Sequence, residues 1–162
     1  MGVTRVNHAV LYVRDAGRSA EFYERALGLE VAHRPAPQAV FMRAPGSAND
    51  HDLGLFGIGE AAAATNAGRD GVGMYHLAWE VDTLAELVAT RNRLAEAGAL
   101  VGQSDHGASK SLYARDPDGL EFEVMWQVPT DLLTDGDGSV TQPLELGREL
   151  ARYGADTAAR RH

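Results

Sequence analysis

Three residues have types and surroundings suited to metal chemistry: His8, His76 and Glu123. Each stands in a short stretch of apolar and β-branched residues, at 6–13, 74–81 and 120–127. A carboxylate in an otherwise apolar strand is costly unless something pairs with it, and a metal ion is one such partner. Two imidazoles and one carboxylate suit Fe(II), Mn(II), Ni(II) or Zn(II). Such a set leaves coordination positions open to substrate or oxygen. A plainer reading stands beside this one, because a single strand histidine is commonly a satisfied core or surface residue. Glu121 also shares the face of Glu123 in a regular strand, so a bulge would exchange them.

The elements that must position these residues follow from pattern. Residues 6–13 read as a strand. Asp15 caps a helix over 17–27, with Ala20, Phe22, Tyr23, Ala26 and Leu27 as its apolar stripe, and Gly28 ends it. Strands are expected at 29–34, 38–44 and 51–57, divided by Pro35, Pro37, Pro45 and Gly46. Residues 58–73 are rich in Gly and Ala and read as a linker with a short helix over 60–65. A strand over 74–81 follows, then a helix over 84–97 capped by Asp82 or Thr83, with Leu84, Leu87, Val88, Leu94 and Ala97 inward and Gly98 at its end. Strands at 99–104, 110–116 and 120–127 complete the pattern. The last two flank Asp116-Pro117-Asp118-Gly119, which has Pro and Gly where a tight turn wants them.

The pattern is an internal repeat. The offset is 68 residues between His8 and His76 and 70 between Gly28 and Gly98. Each unit reads strand, helix, strand, strand, strand. The chain is therefore expected to be α+β, with two βαβββ modules at 1–57 and 74–127, the 58–73 linker and a 128–162 extension. The modules are expected to form a curled mixed sheet around the metal site. The extension is an extended connection over 129–143, a helix over 144–154 with Leu146, Leu150 and Tyr153 on one side, and a frayed end at Arg160-Arg161-His162. The repeat puts the two histidines at equivalent points on equivalent strands.

Composition narrows the partners. The chain has 162 residues, is 44% hydrophobic and 23% charged, and carries a net charge of −8 without a dense Lys/Arg patch. That argues against binding a phosphate backbone, which needs clustered cations. There is no Cys for disulfides or thiolate chemistry. No apolar run approaches the roughly 20 residues of a membrane span, and no signal-peptide layout opens the chain. A cytoplasmic location is expected.

The chain resembles the vicinal oxygen chelate superfamily, which includes glyoxalases, bleomycin-resistance proteins and extradiol dioxygenases. The resemblance spans about residues 5–127. It is carried by Asn7-His8-Ala9-Val10-Leu11-Tyr12-Val13, by Phe22-Tyr23 with Leu27-Gly28, by Tyr75-His76-Leu77-Ala78, and by Asp116-Pro117-Asp118-Gly119 followed by Glu123. It implies paired βαβββ modules curled around a metal held by His8, His76 and Glu123. Glyoxalase-type members take a fourth, acidic ligand from the last strand of the first module, and here Gly54 falls in that place.

The segment around His51 resembles the extradiol dioxygenase strand that carries an acid/base histidine. Tyr113, ten residues before Glu123, matches the tyrosine set beside the substrate oxygen. Asp105-His106-Gly107 resembles a segment of small catechol 2,3-dioxygenase-type members, which makes His106 pocket-lining. Leu120-Glu121 departs from the Asn-Gly usual before the ligand strand. The implied activity is O2-dependent ring cleavage of a catechol, or another vicinal-oxygen substrate, with Fe(II) first among the metals and a homodimer as the assembly. Two alternatives share the scaffold: a metal-dependent glyoxalase-like lyase or isomerase, and an antibiotic-binding module. Each site residue has a structural reading as well. His51 could be a solvated strand-end residue, Tyr113 a core residue, and His106 an exposed loop residue. Trp79 and Trp126 read as packing.

Overall fold

The computed structural model describes residues 2–138 and 140–160. The expected C-terminal fraying falls partly on Arg161 and His162, outside the described residues. The elements run β1 (Ala9–Val13), α1 (Ala16–Leu27), β2 (Glu30–Ala36), β3 (Ala39–Arg43), β4 (Leu53–Gly57), β5 (Leu77–Glu80), α2 (Leu84–Glu96), β6 (Leu100–Asp105), β7 (Ser109–Arg115), β8 (Glu121–Gln127), β9 (Gln142–Pro143) and α3 (Leu146–Tyr153). A 3-10 turn at Thr130–Leu132 follows β8.

The chain divides into two compact units. One holds residues 1–65 and the 116–119 turn, and the other holds 66–115 and 120–162. The repeat is explicit in the sheets. The first has strand order β1-β4-β3-β2, and the second has β5-β8-β7-β6 with β9 added at the β6 edge. In each, the first and last strands of the module pair in parallel and the others antiparallel. The fold is α+β.

In the first unit, α1 packs on β3 and β4. Ala20, Tyr23 and Ala26 bury on one side, and Leu11, Val13, Val40, Met42, Leu53 and Leu55 on the other. The Asp15 carboxylate accepts the Arg18 N–H at 2.7 Å. Gly28 ends the helix at φ 73°, a left-handed turn that costs a residue with a Cβ. In the second unit, α2 packs on β6, β7 and β8. Thr83 is the cap, its hydroxyl accepting the Glu86 N–H at 3.2 Å. The buried stripe of α2 is Leu84, Leu87, Thr90 and Leu94. Val88 is half-buried and Ala97 exposed, so Thr90 takes a place expected of an apolar residue. Its hydroxyl is satisfied by the Arg93 guanidinium at 2.8 Å.

Other expectations change as well. β2 runs through Pro35 rather than stopping before it. β2 is an edge strand with register shifts, the setting in which a missing N–H breaks no ladder. No helix forms over 60–65; one turn hydrogen bond joins Ala62 N–H to Gly59 O in a mostly exposed segment. A short helix with no face to bury does not repay its nucleation. The C-terminal helix spans Leu146–Tyr153, and its fully buried residues are Glu149 and Tyr153, with Leu146 and Leu150 only half-buried. Trp126 is core, as expected, with its Nε1–H donating to Thr157 O at 3.1 Å. Among the described residues, no helix is long and apolar enough to cross a membrane.

Candidate functional site

His8 and His76 each stand one residue before the opening strand of their unit. The repeat therefore sets them at matching positions, at the strand mouths rather than within the ladders. His51 lies two residues before β4. In both sheets the candidate residues lie on the face opposite the helix.

In the first unit, the loop between β3 and β4 is gathered by Asp52. Its carboxylate accepts the Ala44 N–H at 2.9 Å, the Ser47 hydroxyl at 2.9 Å and the Asn49 amide at 2.6 Å. Burial pushes this carboxyl up, but those hydrogen bonds outweigh it and hold it below the usual range. Asn49 then reaches the His8 segment, donating to Asn7 O at 3.0 Å and accepting from Arg5 at 2.7 Å. The His8 and His51 rings come to 4.5 Å between centroids. His51 Nδ1 lies 2.9 Å from Asp50 Oδ2, and His33 Nε2 is 3.9 Å from the same oxygen. The hydrogen bond with His51 lowers the Asp50 pKa. Asp50 is then the acceptor and His51 Nδ1 the donor, which leaves Nε2 on the other side of the ring.

Gly54 has a steric reason. A Cβ there would sit 3.2 Å from the Phe41 ring and 3.4 Å from Val10. Phe41 fills that space, 4.5 Å from the His51 ring and 4.8 Å from the His33 ring, with which it stacks. A side chain at this position would need the Phe41 ring to give by a few tenths of an ångström.

In the second unit, β8 lies beside β5 and β7. Glu123 pairs across with Ala78 and Tyr113. Its Oε2 lies 3.0 Å from His76 Nε2, and its side chain is only 10% exposed. His76 Nδ1 is buried with no hydrogen-bond partner among the described residues. Two Lewis-basic atoms at this distance need a positive bridge, either a proton or a cation, so the pair suits a metal. Glu121 is occupied elsewhere, 3.4 Å from Arg115 at the end of the hairpin. The strand is regular here and no bulge exchanges the two acids.

Tyr113 lies on the same face as Glu123. Its hydroxyl is 2.9 Å from His106 Nε2. Burial, then the charge of Glu123 and a hydrogen bond to it, raise the Tyr113 pKa. His76 and Tyr113 rings lie 5.8 Å apart. The structure thus brings together His76, Glu123, Tyr113 and His106 in one unit, and His8 with His51 in the other. Among the described residues, no three His, Asp or Glu side chains form a ready-made cation site.

Sequence reasoning missed Asp50 as a partner of His51, and it missed His33 and Phe41. It also missed a buried charge cluster. Lys110 is fully buried, paired with Asp105 and lying 3.3 Å from Glu149. The available signal was parity: Lys110 alternates with Leu112 and Ala114 on the inward face of β7.

The family model of the Glyoxalase/Bleomycin resistance protein/Dioxygenase superfamily matches residues 5–124. A catechol-2,3-dioxygenase of Bacillus subtilis (strain 168) is 31% identical over 121 residues, which cover 75% of this chain and 41% of that protein. The chain thus spans less than half the length of that curated relative. A glyoxylase/bleomycin resistance protein/dioxygenase domain from Frankia sp. EAN1pec superposes with a TM-score of 0.67 at 22% identity, over 80% of this chain and 96% of that one. A lactoylglutathione lyase from Agrobacterium tumefaciens gives 0.57 at 25% identity, over 77% and 95%. With the repeated βαβββ topology and a family match over most of its length, the chain belongs to the glyoxalase/bleomycin resistance protein/dioxygenase superfamily.

Proposed function

We propose that the protein is a metal-dependent extradiol-type dioxygenase that opens a catecholic ring with O2. The observation that carries this reading is the paired surroundings of Tyr113 and His51, in a chain 31% identical to a catechol-2,3-dioxygenase. Tyr113 stands beside Glu123 with its hydroxyl held by His106, and His51 has one nitrogen committed to Asp50.

His8, His76 and Glu123 would hold the metal, Fe(II) first among the candidates. A metal there would supply a chelation point for two vicinal oxygens and a redox-active centre. The protein's own residues do the rest. Tyr113 hydrogen-bonds a substrate oxygen and fixes the ring's orientation. His51 Nε2 accepts a proton from the diol and returns one as the ring opens, while Asp50 holds the imidazole in the required tautomer. The balance is closed. Both atoms of O2 enter the product, the O–O bond and one ring C–C bond break, and the electrons come from the catechol. No external reductant is needed.

Gly54 supplies no carboxylate where glyoxalase-type members place a ligand, which supports this reading over a lyase. The lyase or isomerase reading keeps support from the lactoylglutathione lyase likeness at 25% identity. The test is catechol turnover under 18O2 by protein loaded anaerobically with Fe(II). Two labelled oxygens in a ring-opened product are expected. Turnover of a hemithioacetal without O2, and none of catechol, would overturn the dioxygenase reading in favour of the lyase.

A further inference from the structure

The family match ends at residue 124. The chain beyond it nevertheless closes on the turn that carries His106. Gly107 in that turn has φ 72°, and a Cβ there would lie 2.6 Å from Gly138 O. β9 pairs with β6, setting Gln142 opposite Asp105. The Gln142 amide donates to Asp105 Oδ2 at 2.8 Å, and Arg148 reaches the same oxygen at 3.2 Å. Lys110, two residues past the turn glycine's neighbour Ala108, bonds Asp105 and Gly107 O and pairs with Glu149 of α3. From this frame the Thr141 hydroxyl meets His106 Nδ1 at 3.2 Å.

The directions of these bonds follow from the His106 tautomer. Tyr113 stands opposite Glu123 in the β7–β8 pair, and its hydroxyl oxygen lies against His106 Nε2. In the tautomer with its hydrogen on Nε2, His106 donates to the Tyr113 oxygen. In that same tautomer Nδ1 is the acceptor, and the Thr141 hydroxyl donates to it.

We propose that the C-terminal segment is a positioning element of the site, with Thr141 as its positioning residue. The Thr141 hydroxyl holds the His106 ring with its Nε2–H aimed at the Tyr113 oxygen, and so fixes the Tyr113 hydroxyl beside Glu123. This rests on Tyr113 and His106 being site residues, as argued above. The buried Asp105–Lys110–Glu149 cluster is the anchor, and Thr141 is the point of action.

The test uses the full chain and two substitutions, Thr141→Val, which keeps shape and removes the hydroxyl, and Thr141→Ser, which restores it. The first readout needs no turnover. It is the imidazole N–H of His106 in 15N-histidine-labelled protein, assigned with His106→Gln. A protected Nε2–H is expected in wild type and Thr141→Ser, exchanging at least about tenfold faster in Thr141→Val. An unchanged signal in Thr141→Val overturns the proposal. The second readout is catechol cleavage. A kcat about tenfold lower with KM within about twofold, restored by Thr141→Ser, is expected. Unchanged kcat in an active enzyme overturns the role in the site. If wild type cleaves no catechol, the proposed function fails, and the imidazole readout still decides the fate of the Thr141 contact.

Discussion

At the scale of residues, two imidazoles of the candidate site each have one nitrogen already committed. Asp50 takes His51 Nδ1, and Thr141 takes His106 Nδ1. A histidine with one fixed nitrogen has one defined task at the other. His51→Ala is expected to lower turnover by about 10²- to 10⁴-fold with metal content unchanged, measured by steady-state kinetics beside elemental analysis. Asp50→Asn should give a smaller loss in kcat at near-constant KM, since the ring stays but its tautomer is no longer enforced. Equal turnover in either variant would take that residue out of the mechanism. The sequence singles out His51, His106 and Tyr113 through the family resemblance, and the structure gives each a polar partner. Those partners were not legible in the sequence, because Asp50 neighbours His51 in the chain without revealing that it bonds to it, and Thr141 lies 35 residues from His106.

The elements hold these residues through a few polar anchors. Lys110 is the largest commitment, a fully buried cation between Asp105 and Glu149. Lys110→Ala leaves both acids buried without their cation and should cost about 3–5 kcal/mol, read from urea unfolding. Gly107→Ala should be severe for two reasons, its left-handed φ and the Gly138 and Asp137 backbone that a Cβ would strike. Asp15→Ala removes only the α1 cap and should cost about 1 kcal/mol.

The acid limb of stability follows from Asp52 and Asp105. Burial pushes both carboxyls up, but their hydrogen bonds win and both lie below the ordinary value in the folded chain. The unfolded chain regains ordinary carboxyls near about pH 3.9. It therefore binds more protons than the folded chain as pH drops. The contribution is complete above about pH 4 and is lost as pH falls through the lowered folded values. Urea midpoints taken from pH 7 down to pH 3 should stay flat and then fall. Asp105→Asn should flatten part of that fall. The helices and strands were readable because their periods and caps are local. The helix expected over 60–65 failed because local propensity does not say whether a face will be buried.

For the molecule as a whole, duplication is the organising fact. The same strand order recurs in both units, and each opens with a histidine one residue before its first strand. That much was visible as a 68-residue offset between His8 and His76. The helix of the C-terminal extension was visible too, but its docking was not, because β9 and the α3 anchor are made by contacts distant in sequence. Lys110 and Glu149 are 39 positions apart, and neither looks like core in isolation.

In the proposed function, His8, His76 and Glu123 would hold one catalytic metal. The most direct measurement is metal content by elemental analysis after anaerobic Fe(II) loading and desalting, for wild type and for His8→Ala, His76→Ala and Glu123→Ala. One iron per chain in wild type, lost in each variant while circular dichroism stays unchanged, is the predicted result. Wild-type protein that retains no metal, or variants that retain it in full, would contradict the account.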